Sequence, residues 1–248
     1  MTKRFSIILP VLNEADLINP TIDHLETLKG SEDCECIVVD GSPDGGTLKA
    51  VARQGVQCIK SPRGRASQMN AGAAMATGEI LIFLHADTRL PRQAFELISK
   101  VMTRQAMTRQ VLIGGAFDLR IDTEQLMLKI IARIASLRSR LTRIPYGDQA
   151  VFIRRDFFNR MGGYPEIPLM EDIALMRKIK EAGGRIGFIP EPAITSARRW
   201  EQEGILYTTL RNWLLLSAYT LGVAPERLAK YYKAARGVAK ITDTGFSE

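Results

Sequence analysis

Ile80-Leu81-Ile82-Phe83-Leu84-His85-Ala86-Asp87-Thr88 decides the fold. Five apolar residues in a row, entered through Thr77-Gly78, are too few for a buried helix and predict a strand covered on both faces, as at the centre of a parallel sheet. Working outward from it, the chain alternates apolar runs with helical spacing. Strands are predicted over 5–10, 36–39 and 56–60, and helices over 13–28, 47–54 and 66–76. Beyond Pro91 the same reading gives a helix to about Arg104, a strand over 111–121, an amphipathic segment over 126–143 and a short strand over 150–153. The prediction is an α/β fold with a mostly parallel central sheet and C-terminal helices. Parallel sheets bind ligands beyond the carboxyl ends of their strands, so the loops after Leu9, Val39, Lys60 and Leu84 should share one rim.

The chain has 248 residues, 46% of them hydrophobic, enough for one α/β domain with a modest C-terminal appendage. A net charge of +7 suits phosphate-bearing ligands, nucleic acid and anionic lipid alike, and does not choose among them. Cys34, Cys36 and Cys58 lack metal-site spacing, and the first two share one face of a strand, a poor geometry for a bridge. The apolar run from Phe5 stops at Pro10, too short for a secretory segment or a membrane span. Reduced thiols and a cytoplasmic location are therefore expected.

Four clusters carry chemistry. His85 and Asp87 leave the central strand on one side of Ala86. Asp87 is a hard-cation ligand that, with two phosphate oxygens, would hold a divalent ion on a departing diphosphate; the other reading is a helix cap. Asp40 leaves the second strand into a Gly-, Pro- and Asp-rich loop, where it can accept bonds from a base or ribose or simply close a turn. Arg63 and Arg65 stand at a helix start with small residues behind them, a combination that attracts phosphate. Glu171 and Asp172 open a later helix, whose dipole should keep a carboxylate ionised at neutral pH, as a general base requires. Adjacent residues point apart, so one of the two is the base. No G-x-G-x-x-G follows the first strand, which argues against a dinucleotide dehydrogenase.

Taken in order, Pro10-Val11-Leu12-Asn13-Glu14, Asp40 with its loop, Gly64-Arg65-Ala66 through Asn70-Ala71-Gly72, His85-Ala86-Asp87 and Glu171-Asp172 resemble glycosyltransferase family 2 from about residue 5 to residue 200. The resemblance implies a GT-A fold, Rossmann-like in its nucleotide-binding part, and metal-dependent transfer of a sugar from a nucleoside-diphosphate donor to an acceptor hydroxyl with inversion. It implies a GT-A domain over 1–204, its nucleotide-sugar half over about 1–120 and its acceptor half over 121–204, followed by a helical extension over 205–248. Carried over by position, Pro10, Asn13, Glu14, Asp40, Arg63, Arg65, Asn70, His85, Ala86 and Asp87 bind the donor. Asp87, with His85, holds Mn²⁺ or Mg²⁺, and Asp172 is the base. His85 departs from the family's DXD pattern, which begins with Asp. The pieces Leu84-His85-Ala86-Asp87-Thr88 and Tyr146-Gly147-Asp148-Gln149-Ala150 are similar to a bacterial subgroup of radical-SAM/selenodomain-associated transferases. Asp148, Gln149, Glu171, Arg199 and Trp200 are the candidates for sugar or acceptor, a tight turn being the other reading of Asp148-Gln149.

Leu126, Ile130, Ile134, Leu137 and Leu141 recur at helical spacing among basic residues. A core-facing helix is the common origin of this pattern, a helix lying on an anionic membrane the rarer one. The segment 205–224 is too polar to span a bilayer and reads as a packing, dimer or interfacial helix. Arg227, Lys230, Lys233 and Arg236 add a basic face, which in most proteins is simply solvated. Two further functions fit the same residues: a nucleotidyltransferase, which would attack a phosphate, and a non-catalytic nucleotide-sugar-binding scaffold.

Overall fold

Phe5–Val11 (β1), Cys34–Asp40 (β2), Gln57–Lys60 (β3) and Ile80–Phe83 (β4) form the parallel part of an eight-stranded sheet ordered β3-β2-β1-β4-β7-β6-β8-β5. The remaining strands are Thr88–Arg89 (β5), Leu112–Asp122 (β6), Phe152–Arg154 (β7) and Arg185–Ser196 (β8). The computed structural model describes residues 3–103 and 112–232. Arg104, Val111, Lys233 and Arg236, which carry sequence expectations, lie outside the described residues, as does the rest of 233–248. β7 is antiparallel to both β4 and β6, β8 is parallel to β6, and β5 closes the edge antiparallel to β8. The predicted mixed α/β fold with a mostly parallel sheet is what the chain adopts.

The apolar runs are continuous because helices cover both faces. Ile7, Leu9, Ile80 and Ile82 point to one side, where they meet Ile18 and Ile22 of Ala15–Glu26 (α1) and Phe95 and Ile98 of Ala94–Thr103 (α4). Ile8, Val39, Leu81 and Phe83 point to the other. They meet Ala66, Met69 and Ala73 of Arg65–Met75 (α3) and Leu175, Met176 and Ile179 of Glu171–Glu181 (α7). The small residues of α3 let its backbone approach the sheet: a Cβ on Gly72 would stand 2.5 Å from Ile8 Cγ2 and 3.0 Å from Val39 Cγ2.

Glu35 fastens the turn between α3 and β4 to the sheet. One carboxylate oxygen accepts bonds from Ser6 Oγ (2.5 Å), Thr77 N (2.6 Å), Thr77 Oγ1 (3.0 Å) and Gly78 N (3.1 Å), and the other from Gln57 Nε2 (3.0 Å). Partial burial opposes the charge, but the Ser6, Thr77 and Gly78 bonds outweigh it and hold the carboxyl below its ordinary value. A lowered folded pKa stabilises above the unfolded value and is lost as pH falls through the folded one. Glu35→Gln should therefore lower unfolding free energy near neutral pH by about 1–3 kcal/mol. In urea titrations the deficit should shrink as pH falls below about 4.3, where the unfolded carboxyl protonates.

The amphipathic segment folds as Leu126–Thr142 (α5), but the expected core-facing stripe faces out. Leu126, Ile130, Ile134, Leu137 and Leu141 are 45–76% exposed, while Leu128, Ala132, Ser136 and Ser139 are buried. Close packing on β6 explains the inversion. Ser136 Oγ accepts the Leu119 N–H (2.8 Å) and Ser139 Oγ donates to Gln149 Oε1 (2.6 Å), contacts that only small polar residues allow. After β8 come Arg198–Glu203 (α8) and Ile205–Thr220 (α9), and a further helical turn over 225–232.

Candidate active site

The segment after β4, the start of α3, the turn before β7, the start of α7 and residues of α5, α8 and α9 surround a cavity of ≈ 510 Å³. Arg65, His85, Asp87, Asp148, Glu171, Asp172, Arg199 and Trp200, all expected from the sequence, line it. A turn between β4 and β5, closed by the Thr88 N–H to the His85 carbonyl (3.1 Å), presents the pair: His85 and Asp87 line the cavity, and Ala86 between them is buried in the core, its carbonyl accepting a bond from Thr21 Oγ1. A larger hollow of ≈ 650 Å³ lies between α5 and the outer sheet, but two of its three acids, Asp118 and Glu124, are spent on Arg140 and Lys129 at 2.8 Å.

Asp172 lies in the first turn of α7, after Met170, which is held at φ 68°. The sequence predicts a carboxylate kept ionised by the helix dipole. Burial instead pushes it up to about 7, helped by Glu171 and Asp148 and opposed by Arg65 and by the Gly147 N–H. Glu171, only 5% exposed, stands 3.8 Å from Arg65. Gly147 is the wall shared by the acid pocket and the imidazole: a Cβ there would be 2.7 Å from Asp172 Oδ2 and 3.0 Å from His85 Nε2.

Burial, with Arg65 and Arg199 nearby, lowers His85 well below its usual value, so the ring is neutral and keeps a lone pair for a ligand. Asp148 is pushed up to about 6 by burial, against the pull of Arg199 and Arg65. Its Oδ1 is buried with no hydrogen-bond partner among the described residues. Arg198 joins the first and last parts of the rim, donating to Glu14 at 3.1 and 3.3 Å and standing 3.9 Å from Asp87.

Other expected site residues sit behind the cavity. Asp40 is fully buried, its oxygens accepting the Ser42 N–H (2.7 Å) and Thr47 N–H (3.2 Å), and Thr47 Oγ1 accepts the Glu14 N–H (3.1 Å). It thus fixes the loop between β2 and Gly46–Ala50 (α2). Asn70 exchanges two 2.9 Å bonds with the Tyr164 backbone. Gln149 is fully buried and holds Ser139, the Tyr146 N–H and the Phe117 carbonyl, so the tight-turn reading applies to it while Asp148 faces the cavity. Pro10 is the one partly exposed residue of β1, Asn13 adopts φ 57° in the loop after that strand, and Arg63 is exposed outside the lining. Sequence reasoning missed Gly147, Arg198 as a bridge, and Gln68, whose amide donates to the Val11 and Val39 carbonyls at 2.7 and 2.8 Å. Gly147 adjoins Asp148, which the sequence singles out, and Arg198 belongs to the Arg198-Arg199-Trp200 run expected to close over the diphosphate or stack on a sugar; only the fold gives them these partners.

Among solved structures, the chain is similar over its full length to "Mannosyltransferase PcManGT from Pyrobaculum calidifontis in complex with GDP-Man and Mn2+". The identity is 19%, the TM-score 0.64, and the match covers 77% of that chain. It is also similar to S. aureus TarS 1–349, including a complex with UDP-GlcNAc, at 16% identity and TM-score 0.58 over 78% of this chain; the match spans 60% of the apo TarS structure and 58% of the complex. At such identities the likeness establishes a shared GT-A fold. No curated protein matches the chain by sequence. The sequence profile described as "Glycosyl transferase family 2" matches residues 6–160, more than half of the chain, from the second residue of β1 through β7. On that match, the chain belongs to glycosyl transferase family 2.

Proposed function

We propose that this glycosyltransferase is a metal-dependent, inverting enzyme that takes a sugar from a nucleoside-diphosphate donor. The observation that carries the reading is one cavity lined by a half-buried carboxylate at a helix start, Asp172, by the guanidinium groups of Arg65 and Arg199, and by His85 and Asp87 after β4. Neighbours of the same fold are described with GDP-Man and Mn²⁺ and with UDP-GlcNAc, which supports a nucleotide-sugar donor and a divalent ion.

Direct displacement needs a base for the acceptor hydroxyl and counter-charge for the departing diphosphate. Asp172 takes the hydroxyl proton as the acceptor oxygen bonds to the anomeric carbon from the face opposite the diphosphate. The bond from that carbon to the phosphate oxygen breaks, and configuration inverts. Arg65 and Arg199 balance the charge gathering on the diphosphate. Asp40, through its loop, shapes the seat of the nucleoside.

The donor set fits a divalent ion. Asp87 is a hard oxygen ligand, the neutral His85 ring offers nitrogen, and the orphaned Asp148 Oδ1 is a buried acceptor lacking a donor. Among the described residues no three such side chains close around one point, in keeping with a site completed by substrate phosphates. Asp87 and His85 would hold Mn²⁺ or Mg²⁺, which when bound neutralises the leaving diphosphate.

Calorimetric titration with UDP, GDP, CDP, ADP and dTDP, with and without Mn²⁺, tests the reading. One nucleotide should bind, at least about tenfold more tightly with Mn²⁺, and Asp87→Ala should remove that gain. Folded protein that binds none of the five nucleotides defeats the proposal.

A further inference from the structure

We infer that the outward faces of α5 and α9 form a docking surface for an anionic lipid membrane, from which an amphiphilic acceptor enters the cavity. The acceptor part rests on the transferase reading above; the docking part does not.

Among the described residues fifteen large hydrophobic side chains are exposed and eleven of them lie on these two helices, so that apolar surface is concentrated there. On α5 the stripe steps by three and four residues from Leu126 to Leu141, and on α9 Leu206, Leu210, Trp213 and Leu214 are 52–66% exposed. The helices are neighbours: Ala135 of α5 and Ile205 of α9 pack against one small core cluster, and residues of both line the active-site cavity. Ile134 and Trp213 belong to the outer stripe and the cavity wall together, at 47% and 52% exposure. Ile131, Ile134, Leu169, Ile173, Trp213 and Leu216 thus give the cavity that holds Asp172 an apolar share of its wall. A sugar nucleotide has no use for that wall, whereas a molecule with an apolar tail and a polar head does.

Charge selects the occupant. α5 carries no acidic residue and neither does α9; of the cations of α5, Lys129 and Arg140 are paired with Glu124 and Asp118 and Arg138 stacks on Tyr146, which leaves Arg133 as its outward charge. Arg133 is exposed and makes no ion pair among the described residues, and exposed Arg227 and Lys230 follow α9 in the 225–232 helix. A two-fold contact between copies would set this basic surface against itself. An anionic lipid surface attracts it, and an apolar stripe flanked by Lys and Arg is how a helix lies in a bilayer interface. Among the described residues no helix is long and apolar enough to cross a membrane, so the contact is peripheral.

Flotation of the full chain with liposomes tests this, using phosphatidylcholine alone or with about 30% phosphatidylglycerol at about 0.15 M salt. The expected result is binding to the anionic vesicles at least about tenfold above the neutral ones, lowered about tenfold or more by Leu137→Glu with Leu214→Glu. Neither residue lines the active-site cavity, so nucleotide binding should stay unchanged in the double variant and report that it is folded. Absence of vesicle binding, or binding untouched by the double substitution, overturns the docking surface. A dimer in light scattering that the same substitutions dissolve also overturns it, giving the face to a second copy. Vesicle binding by a chain that takes no nucleotide overturns the acceptor half together with the transferase reading.

Discussion

Asp172→Asn is expected to lower turnover about 10³-fold while nucleotide affinity stays within about twofold of wild type. The amide has nearly the shape of the carboxylate and can still accept the Gly147 N–H bond that the acid receives. What it cannot do is take a proton from the acceptor hydroxyl. Loss of one buried negative charge beside Arg65 and Glu171 also leaves the local charge balance less crowded, so folding should not suffer. Measuring nucleoside diphosphate release from the donor sugar in parallel with calorimetry separates the two effects. Unchanged release would remove Asp172 from the mechanism. If neither the wild type nor the variant turns over, although both bind nucleotide, the chain is a nucleotide-sugar-binding scaffold.

The expectation of a base held ionised by its helix fails for a physical reason. A helix N-terminus offers roughly half a positive charge at its mouth. Burial and two neighbouring acids oppose it, and here they prevail, lifting Asp172 toward neutrality. Sequence gives the helix start but not the depth at which it is packed. The same limit explains Asp40, Asn70 and Gln149. Each is a polar residue in a loop or helix flanking the rim, where a ligand contact and a backbone contact look alike until the partners are known. The Ser42, Thr47, Tyr164 and Phe117 backbone groups then claim them.

Strands covered on both faces were legible because they cannot alternate with polar residues: β1, β2 and β4 are plain in the sequence. β8, which pairs with β6 along most of its length, was not. Its run is interrupted by Gly187, Pro190 and Pro192, which argue against a paired strand. The ladder absorbs them by slipping: Phe117 pairs with Ile189 and the next residue, Asp118, with Pro192, so Pro190 and Glu191 lie in an irregularity of the register. β5 escaped notice because two residues carry no period, and it exists only as the partner of Thr195 and Ile194. The α5 stripe misled in the opposite direction. Its spacing gave the helix correctly, but the face chosen for burial was set by how closely β6 lets the backbone approach, which favours Ala132, Ser136 and Ser139 over Leu and Ile.

Gly147→Ala should cost about 10²-fold in turnover with little change in stability, an effect out of proportion to one methyl group. The residue begins the short 3₁₀ turn Gly147–Gln149 and has no left-handed backbone, so alanine meets no conformational objection there. Space is the objection. The methyl would sit 2.7 Å from Asp172 Oδ2 and 3.0 Å from His85 Nε2, inside van der Waals contact with both. The turn is pinned by Gln149 through Ser139, Tyr146 and Phe117, so the backbone has little freedom to withdraw. The side chains must yield instead, and Asp172 swings off the Gly147 N–H that orients it. A base displaced by a fraction of an ångström no longer lines up with the acceptor oxygen, whereas the nucleotide seat around Asp40 and Arg65 lies apart from the clash. The expected pattern is therefore a fall in kcat with metal-free nucleotide affinity and thermal unfolding close to wild type. An equal loss in Asp172→Asn and in Gly147→Ala with Asp172→Asn would mean that the methyl acts through Asp172, while additive losses would assign it a separate effect at His85.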